Sequence, residues 1–261
     1  MINCNQISYS YNGIHKDIKD LSYSINEGEW LGIIGPNGSG KSTFLHILCG
    51  LLKPLTGDVM IDGEYITKMS NKEIAKKIAV LSQQNSYTFS YDVNETVKLG
   101  RIAHSASLFP SWTDRDEHAV SNALLMTSTN NMKQKFISEI SGGERQRVFL
   151  AQAFAQETPY IFLDEPSNHL DLMHTIKILD LLKELQVNEE KTVVTVFHDL
   201  NLASLYCDRI LALKDGTTFC EGKTEDVLTE EILEDLYGTS FQIMNNPNTN
   251  KKVIVYKSNY A

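Results

Sequence analysis

The chain has 261 residues, 42% hydrophobic and 22% charged, with 15 Gly and 6 Pro. That allows one large domain or two small ones with an ample core, and it excludes collagen-like, disordered and disulfide-scaffold classes. The formal charge is −9, from 24 Lys and Arg against 33 Asp and Glu; this argues against sequence-independent binding to nucleic acid or anionic lipid, a local basic patch aside.

The first residues, MINCNQISYSYNG, are polar and lack the charged-then-apolar order of a secretory signal. The most hydrophobic window, 44–52, is only nine long and contains His46, so no stretch is expected to span a bilayer. Cys4, Cys49, Cys207 and Cys220 form no C-x-x-C pair. Reduced, structural thiols in a cytosolic chain are expected, not a zinc knuckle or a disulfide framework.

In chain order, the first eighty residues read as short strands separated by turns. Residues 25–28 lead into the apolar run 30–34, then a Gly-rich loop, then a helix-like stretch at 41–52. Residues 58–61, the Asp62-Gly63 turn and 64–66 suggest a hairpin, because Asp-Gly supplies positive φ. Residues 79–82 read as another strand. Between 86 and 139 long β runs disappear. Stretches 94–100 and 114–127 read as helical, joined by a polar, aromatic-dotted linker at 101–113. This reads as a helical insertion carried by an α/β body.

From Ser141 onward the pattern alternates again. A helix at 144–156 precedes a strand at 160–163, and a helix at 170–185 precedes a strand at 192–197. Such alternation implies a mostly parallel sheet with helices on its faces. The tail, 242–256, places an Asn-rich turn between two short apolar runs, as in a terminal hairpin. No internal repeat of solenoid length is present.

The strongest motif is Gly35-Pro36-Asn37-Gly38-Ser39-Gly40-Lys41-Ser42, a G-x-x-x-x-G-K-[ST] match between an apolar strand and a helix. Its glycines let backbone N–H groups curl round phosphates with no Cβ in the way, and the helix N-terminus adds positive potential. Lys41 is expected to reach the β and γ phosphates, Ser42 to ligate Mg²⁺, and Thr43 to add a contact to the α phosphate. A chance Gly-rich turn is the bland alternative, and the strand–loop–helix context weighs against it. A second acidic element follows in Tyr160-Ile161-Phe162-Leu163-Asp164-Glu165. Asp164 sits where a direct or water-bridged Mg²⁺ ligand is expected. Glu165, on the opposite side of an extended chain, suits a general base polarising water. The bland alternative is that the two acids cap the next helix, and the phosphate loop weighs against it.

Ile140-Ser141-Gly142-Gly143-Glu144-Arg145-Gln146-Arg147 precedes that strand and resembles the signature motif of ABC-type ATPases. The rest of that family's pattern follows in order over residues 11 to about 200. The resemblance implies that Tyr11 stacks on adenine, that Gln83 contacts Mg²⁺ and water, and that His198 grips the γ phosphate. Ser167-Asn168-His169-Leu170-Asp171 matches the loop after the acidic strand, with Asp171 at a dimer interface and also able to cap the next helix. Without the series, Tyr11 could be an edge aromatic and His198 a structural histidine, and Gln84 adjoins Gln83. Ile140 and Glu144 stand where Leu and Gln are commonest; the Ser-Gly-Gly core is intact.

The implied fold is α/β: a P-loop NTPase (RecA-like) core with an N-terminal antiparallel β subdomain and an inserted helical subdomain, about 86–152. A single ATPase domain would cover 1–240 and a short hairpin-like tail 241–261. Ser141, Gly142 and Gly143 are expected to act as a second anion nest, free N–H groups and a hydroxyl gripping the γ phosphate of another subunit. The resemblance thus implies a homodimer sandwiching two ATP molecules, which reopens after hydrolysis. One ATPase unit without a basic arm favours transport over action on ribosomes or nucleic acid.

The segment His198-Asp199-Leu200-Asn201-Leu202-Ala203-Ser204-Leu205-Tyr206-Cys207-Asp208 is similar to ATPases of iron(III)-siderophore, haem and cobalamin importers. So are Gly100-Arg101 followed by His104 and a helix start near 114–116, Asp171-Leu172-Met173-His174, and Leu236-Tyr237-Gly238. The implied task is to energise iron-chelate uptake, with haem, cobalamin or another chelate as alternatives. The implied partners are ATP with Mg²⁺, integral-membrane permease subunits, indirectly an external substrate-binding protein, and no nucleic acid. The implied place is the cytoplasmic face of the cell membrane. Phe89, Tyr91 and Leu99 are candidates for the permease contact, or else internal core.

Overall fold

A computed structural model describes residues 1–82, 91–104, 112–167 and 170–257. The chain divides into two compact units, Met1–Lys68 with Thr192–Ala261, and Met69–Lys191.

The first unit begins with antiparallel strands β1 (Ile2–Tyr9) and β2 (Ile18–Ile25). In β2 the two-residue period buries Leu21, Tyr23 and Ile25 on one face. A register shift between Cys4 and Ile7 marks a bulge in β1, where Gln6 takes φ +47°. Strand β3 (Trp30–Ile34) is buried at every residue and leads to helix α1 (Lys41–Leu48). Strands β4 (Thr56–Ile61) and β5 (Glu64–Tyr65) are joined through Asp62 and Gly63, both at positive φ as a tight hairpin turn requires. They complete an antiparallel sheet in the order β2-β1-β4-β5.

The second unit opens with helix α2 (Asn71–Lys77), then strand β6 (Ile78–Leu81) and helix α3 (Val93–Lys98). A 3₁₀ segment, Leu99–His104, follows α3. Helices α4 (Asp114–Met126) and α5 (Gly142–Ala155) pack with α3, then come strand β7 (Tyr160–Asp164) and helix α6 (Leu172–Glu189). Strand β7 runs parallel to β6, Ile78 opposite Tyr160 through Leu81 opposite Leu163.

The chain returns to the first unit at strand β8 (Thr192–Val196), helix α7 (Leu200–Tyr206), and strands β9 (Arg209–Lys214) and β10 (Thr217–Lys223). Strand β3 lies parallel between β8 and β9, and β10 closes antiparallel on β9. Gly32 lets this layer approach α7, because a Cβ there would lie 2.7 Å from Cys207 Sγ. Helices α8 (Thr224–Val227) and α9 (Glu230–Tyr237) lead to the hairpin of β11 (Phe241–Asn245) and β12 (Lys252–Tyr256).

The helix expected at 41–52 stops at Leu48, with Gly50 at positive φ soon after. Helix α2, in a region read only as strands, is announced by a Ser70–Glu73 capping box. The expected linker at 101–113 starts inside the 3₁₀ segment, and residues 105–111 lie outside the described residues.

Arg101, 3% exposed at its side chain, is no linker residue. It donates to Asp116 Oδ1, Glu157 Oε2 and the Ala155 carbonyl, each at 2.8 Å. These bonds tie the 3₁₀ segment to the start of α4 and the end of α5. No helix among the described residues is long and apolar enough to cross a membrane.

Candidate functional site

The site residues fall into two sets, one on each unit. In the first unit, β3 delivers the chain into the loop 35–40, whose shape depends on glycine. At Gly35 a Cβ would sit 2.1 Å from the Leu213 carbonyl oxygen. At Gly40, with φ +96°, it would sit 2.7 Å from Ile18 Cδ1 and 2.9 Å from the Asp17 carbonyl oxygen. Only a residue without a side chain lets the loop lie this close to its neighbours.

Lys41 folds back over the loop and donates to the carbonyls of Gly35 and Pro36, at 2.9 Å each. The Ser39 hydroxyl is buried with no hydrogen-bond partner among the described residues. Helix α1 has no side-chain cap and no acid in its first turn. A buried hydroxyl donor, a lysine and a helix N-terminus suit phosphate oxygens. Asn37 and Gly38 are exposed at the tip of the loop, and Ser42 is partly exposed where α1 begins.

Tyr11, 62% exposed, reaches the same helix from the β1–β2 connection. Its hydroxyl accepts from Thr43 Oγ1 at 3.5 Å, its amide donates to Asp17, and its ring meets Tyr9 edge-on. The structure thus brings Tyr11 beside the phosphate loop. His198 follows β8. The parallel register pairs Ile33 with Val196, and Gly35 and His198 each follow that pair by two residues. Asp199 caps α7 through the amides of Asn201 and Leu202.

In the second unit β7 ends at Asp164, 1% exposed, and Glu165 is 8% exposed. Glu165 is not part of an extended chain, as the sequence reading supposes. Its φ is +53°, a left-handed turn that costs a non-glycine residue energy and swings the backbone away after the strand.

Ser141 caps α5, and Gly142 and Gly143 are its first residues. The donors of Ser141 are not free, as the sequence reading supposes, because Glu144 closes a capping box on them. The Ser141 amide and hydroxyl both donate to Glu144 Oε2 at 2.8 Å, and the Glu144 amide donates back to Ser141 Oγ at 3.3 Å. The Ser141 amide, then its hydroxyl, hold the Glu144 carboxyl below its ordinary value.

Asp171 caps α6, accepting from the His174 amide at 2.8 Å and pairing with His174 Nδ1. The His174 amide is the main cause that lowers its carboxyl. Gln83 and Phe89 lie outside the described residues, as do Asn168 and His169. Tyr91 is exposed and Leu99 half-buried.

The Ser42 hydroxyl and the Asp164 carboxylate are hard oxygen donors, the chemistry magnesium takes. Two features escape sequence reasoning. The closing of Glu144 onto Ser141 is spelled by the Ser-x-x-Glu spacing and could have been read. The approach of Tyr237 to Gly35, whose amide donates to its hydroxyl at 3.1 Å, links residues 202 apart and carries no local signal.

A family model described as ABC transporter matches residues 18–168. An ABC transporter ATP-binding protein of Bacillus subtilis (strain 168), YvrA, is 42% identical over 91% of this chain; the chain spans 54% of that relative's length. The petrobactin import ATP-binding protein FpuD of Bacillus anthracis is 41% identical over 88% of this chain and 84% of the relative. Among solved structures, a dimeric bacterial ABC transporter cassette is 33% identical, with TM-score 0.78, covering 86% of this chain and 99% of its own. An inward-facing metal-chelate type ABC transporter has TM-score 0.83 at 26% identity, covering 99% and 98%. With the phosphate loop, the Ser-Gly-Gly helix start and the acidic strand end in place, the chain belongs to the ABC transporter ATP-binding family.

Proposed function

We propose that the chain is the ATP-hydrolysing subunit of a membrane importer for iron(III) chelates of the siderophore type. The observation that carries this reading is the 41% identity to a petrobactin import ATP-binding protein over 88% of this chain and 84% of that one. A solved metal-chelate type transporter that covers 99% of the chain supports it.

In this reading the loop 35–40 and the start of α1 hold the ATP phosphates. Lys41 exchanges the carbonyls of Gly35 and Pro36 for β and γ phosphate oxygens, and Thr43 reaches the α phosphate. Tyr11 offers an exposed ring to adenine. Ser42, Asp164 and Gln83 would hold magnesium. The ion, when bound, offsets charge on the β and γ phosphates. Glu165 takes a proton from the attacking water, and His198 steadies the γ phosphate.

Ser141, Gly142 and Gly143 of one subunit complete the site of a second copy, with Asp171 at the shared face. A homodimer therefore closes on two ATP molecules and reopens when phosphate leaves. That motion would drive permease subunits fed by an external substrate-binding protein, which places the chain at the cytoplasmic face of the membrane. Chelate never touches this chain. Affinity purification from detergent-solubilised membranes tests the reading: an integral-membrane permease is expected to copurify. Recovery with ribosomes and no permease would overturn it in favour of a soluble ATPase.

A further inference from the structure

Within the first unit, helix α9 and strand β12 touch the segments that carry Gly35 and follow His198. The Gly35 amide, the first of the phosphate loop, donates to the Tyr237 hydroxyl at 3.1 Å. Tyr237 is the last residue of α9, and Gly238, at φ +70°, ends the helix there. The ring of Phe241, itself 2% exposed, packs edge-on against Tyr237 at 6.0 Å, and Tyr256 packs on Phe241 at 5.7 Å. Lys214, next to the Leu213 carbonyl that crowds Gly35, donates to the Asp235 carbonyl of α9. The tyrosine is therefore held from both sides.

The hairpin also holds the helix that follows His198. The Asn201 side chain forms a two-way amide clamp with Ile254, accepting from its N–H at 2.8 Å and donating to its carbonyl at 3.2 Å. Ser204 Oγ donates to the Lys252 carbonyl at 2.7 Å. One hairpin thus fixes the segment behind His198 and supports the residue behind Gly35.

We propose that Tyr237 is a positioning residue of the ATP site. Its hydroxyl takes the Gly35 amide, and so fixes where strand β3 ends and the phosphate loop begins. The loop cannot be fixed there by a side chain of its own, because Gly35 has no room for one. Tyr237 would touch neither the nucleotide nor the attacking water molecule; it acts through the backbone of Gly35. Burial pushes its phenol up to about 12, so the hydroxyl stays neutral and available as an acceptor at physiological pH. The inference rests on the reading of 35–40 as the ATP phosphate loop.

Tyr237→Phe removes one oxygen and keeps the ring on Phe241. In the purified full-length chain it should raise KM for ATP about fivefold, as for one lost hydrogen bond. kcat at saturating ATP should change by less than about twofold, the pattern of an altered ground-state site. Ile61→Val, in the antiparallel sheet away from the loop, serves as the stability control. It should lower Tm without changing KM. A KM that stays at the wild-type value in Tyr237→Phe overturns the proposal. So does an equal KM rise in the control at matched loss of Tm.

Amide hydrogen exchange in the wild-type chain gives a second reading that needs no variant. The Gly35 amide should exchange slowly while the exposed Asn37 and Gly38 exchange fast. Fast exchange at Gly35 overturns the proposal. A wild-type chain with no ATP turnover would instead sink the phosphate-loop reading itself.

Discussion

Glu144 Oε2 accepts both the amide and the hydroxyl of Ser141, each at 2.8 Å. A γ phosphate from a second subunit would have to draw the Ser141 hydroxyl away from a carboxylate that already holds it. Glu144→Gln keeps an acceptor of the same length and removes the charge, which weakens the competing bond. We expect the ATP-dependent dimer to form at about fivefold lower protein concentration, a change of roughly 1 kcal/mol. Sedimentation with ATP and Mg²⁺, on a Glu165→Gln background, reads it. Equal or weaker association would show that Ser141 and Glu144 do not compete with phosphate.

Glu165→Gln keeps the shape of the residue after β7 and removes the carboxylate proposed to accept the proton of the attacking water. Hydrolysis should fall about 10²-fold or more while ATP still binds. Phosphate release and nucleotide binding, measured side by side, separate the two. Loss of binding together with turnover would mean that the left-handed turn at Glu165, not its basicity, matters.

Arg101 is a buried cation with three protein acceptors, two of them carboxylates. Arg101→Met keeps the apolar stem and leaves Asp116 and Glu157 without their partner. A loss of about 2–3 kcal/mol is expected, below the usual cost of breaking a fully buried pair because Glu157 is 40% exposed. Thermal or urea unfolding measures it. A change below about 0.5 kcal/mol would mean that water replaces both ion pairs.

Asp116 carries an acid-dependent part of the same cluster. The Thr113 hydroxyl, ahead of Arg101, holds its carboxyl down to about 2. Because the folded value lies below the unfolded one, the stabilisation is complete above the unfolded value. It is lost as pH falls through the folded one, between about 4 and 2. Asp116→Asn should flatten that acid limb, so wild type and variant converge in Tm toward pH 2. Parallel Tm profiles across that window would rule out the linkage.

Much of this is legible in the sequence. The G-x-x-x-x-G-K-S spacing specifies strand, loop and helix together, and β3 and α1 flank it as read. Alternation of helix and strand after Ser141 gives the parallel pairs of β3 with β8 and β9. What stayed hidden has physical causes. Glu165 lies in a strand-like run, yet its φ is positive, a choice set by neighbours and not by local preference. Arg101 reads as the start of a polar linker because its partners, Asp116 and Glu157, are distant in sequence. Tyr237 meets Gly35 only through the packing of α9.

On the proposed function, ATP turnover by this chain drives entry of iron chelates. Uptake of radioactive iron is the readout, supplied as a panel of ferric chelates to cells lacking the chain. The wild-type gene should restore uptake of at least one siderophore-type chelate, and Glu165→Gln should not. Normal uptake of every chelate in the deletion strain, or full rescue by Glu165→Gln, would mean that this chain does not drive ferric-chelate uptake by hydrolysing ATP.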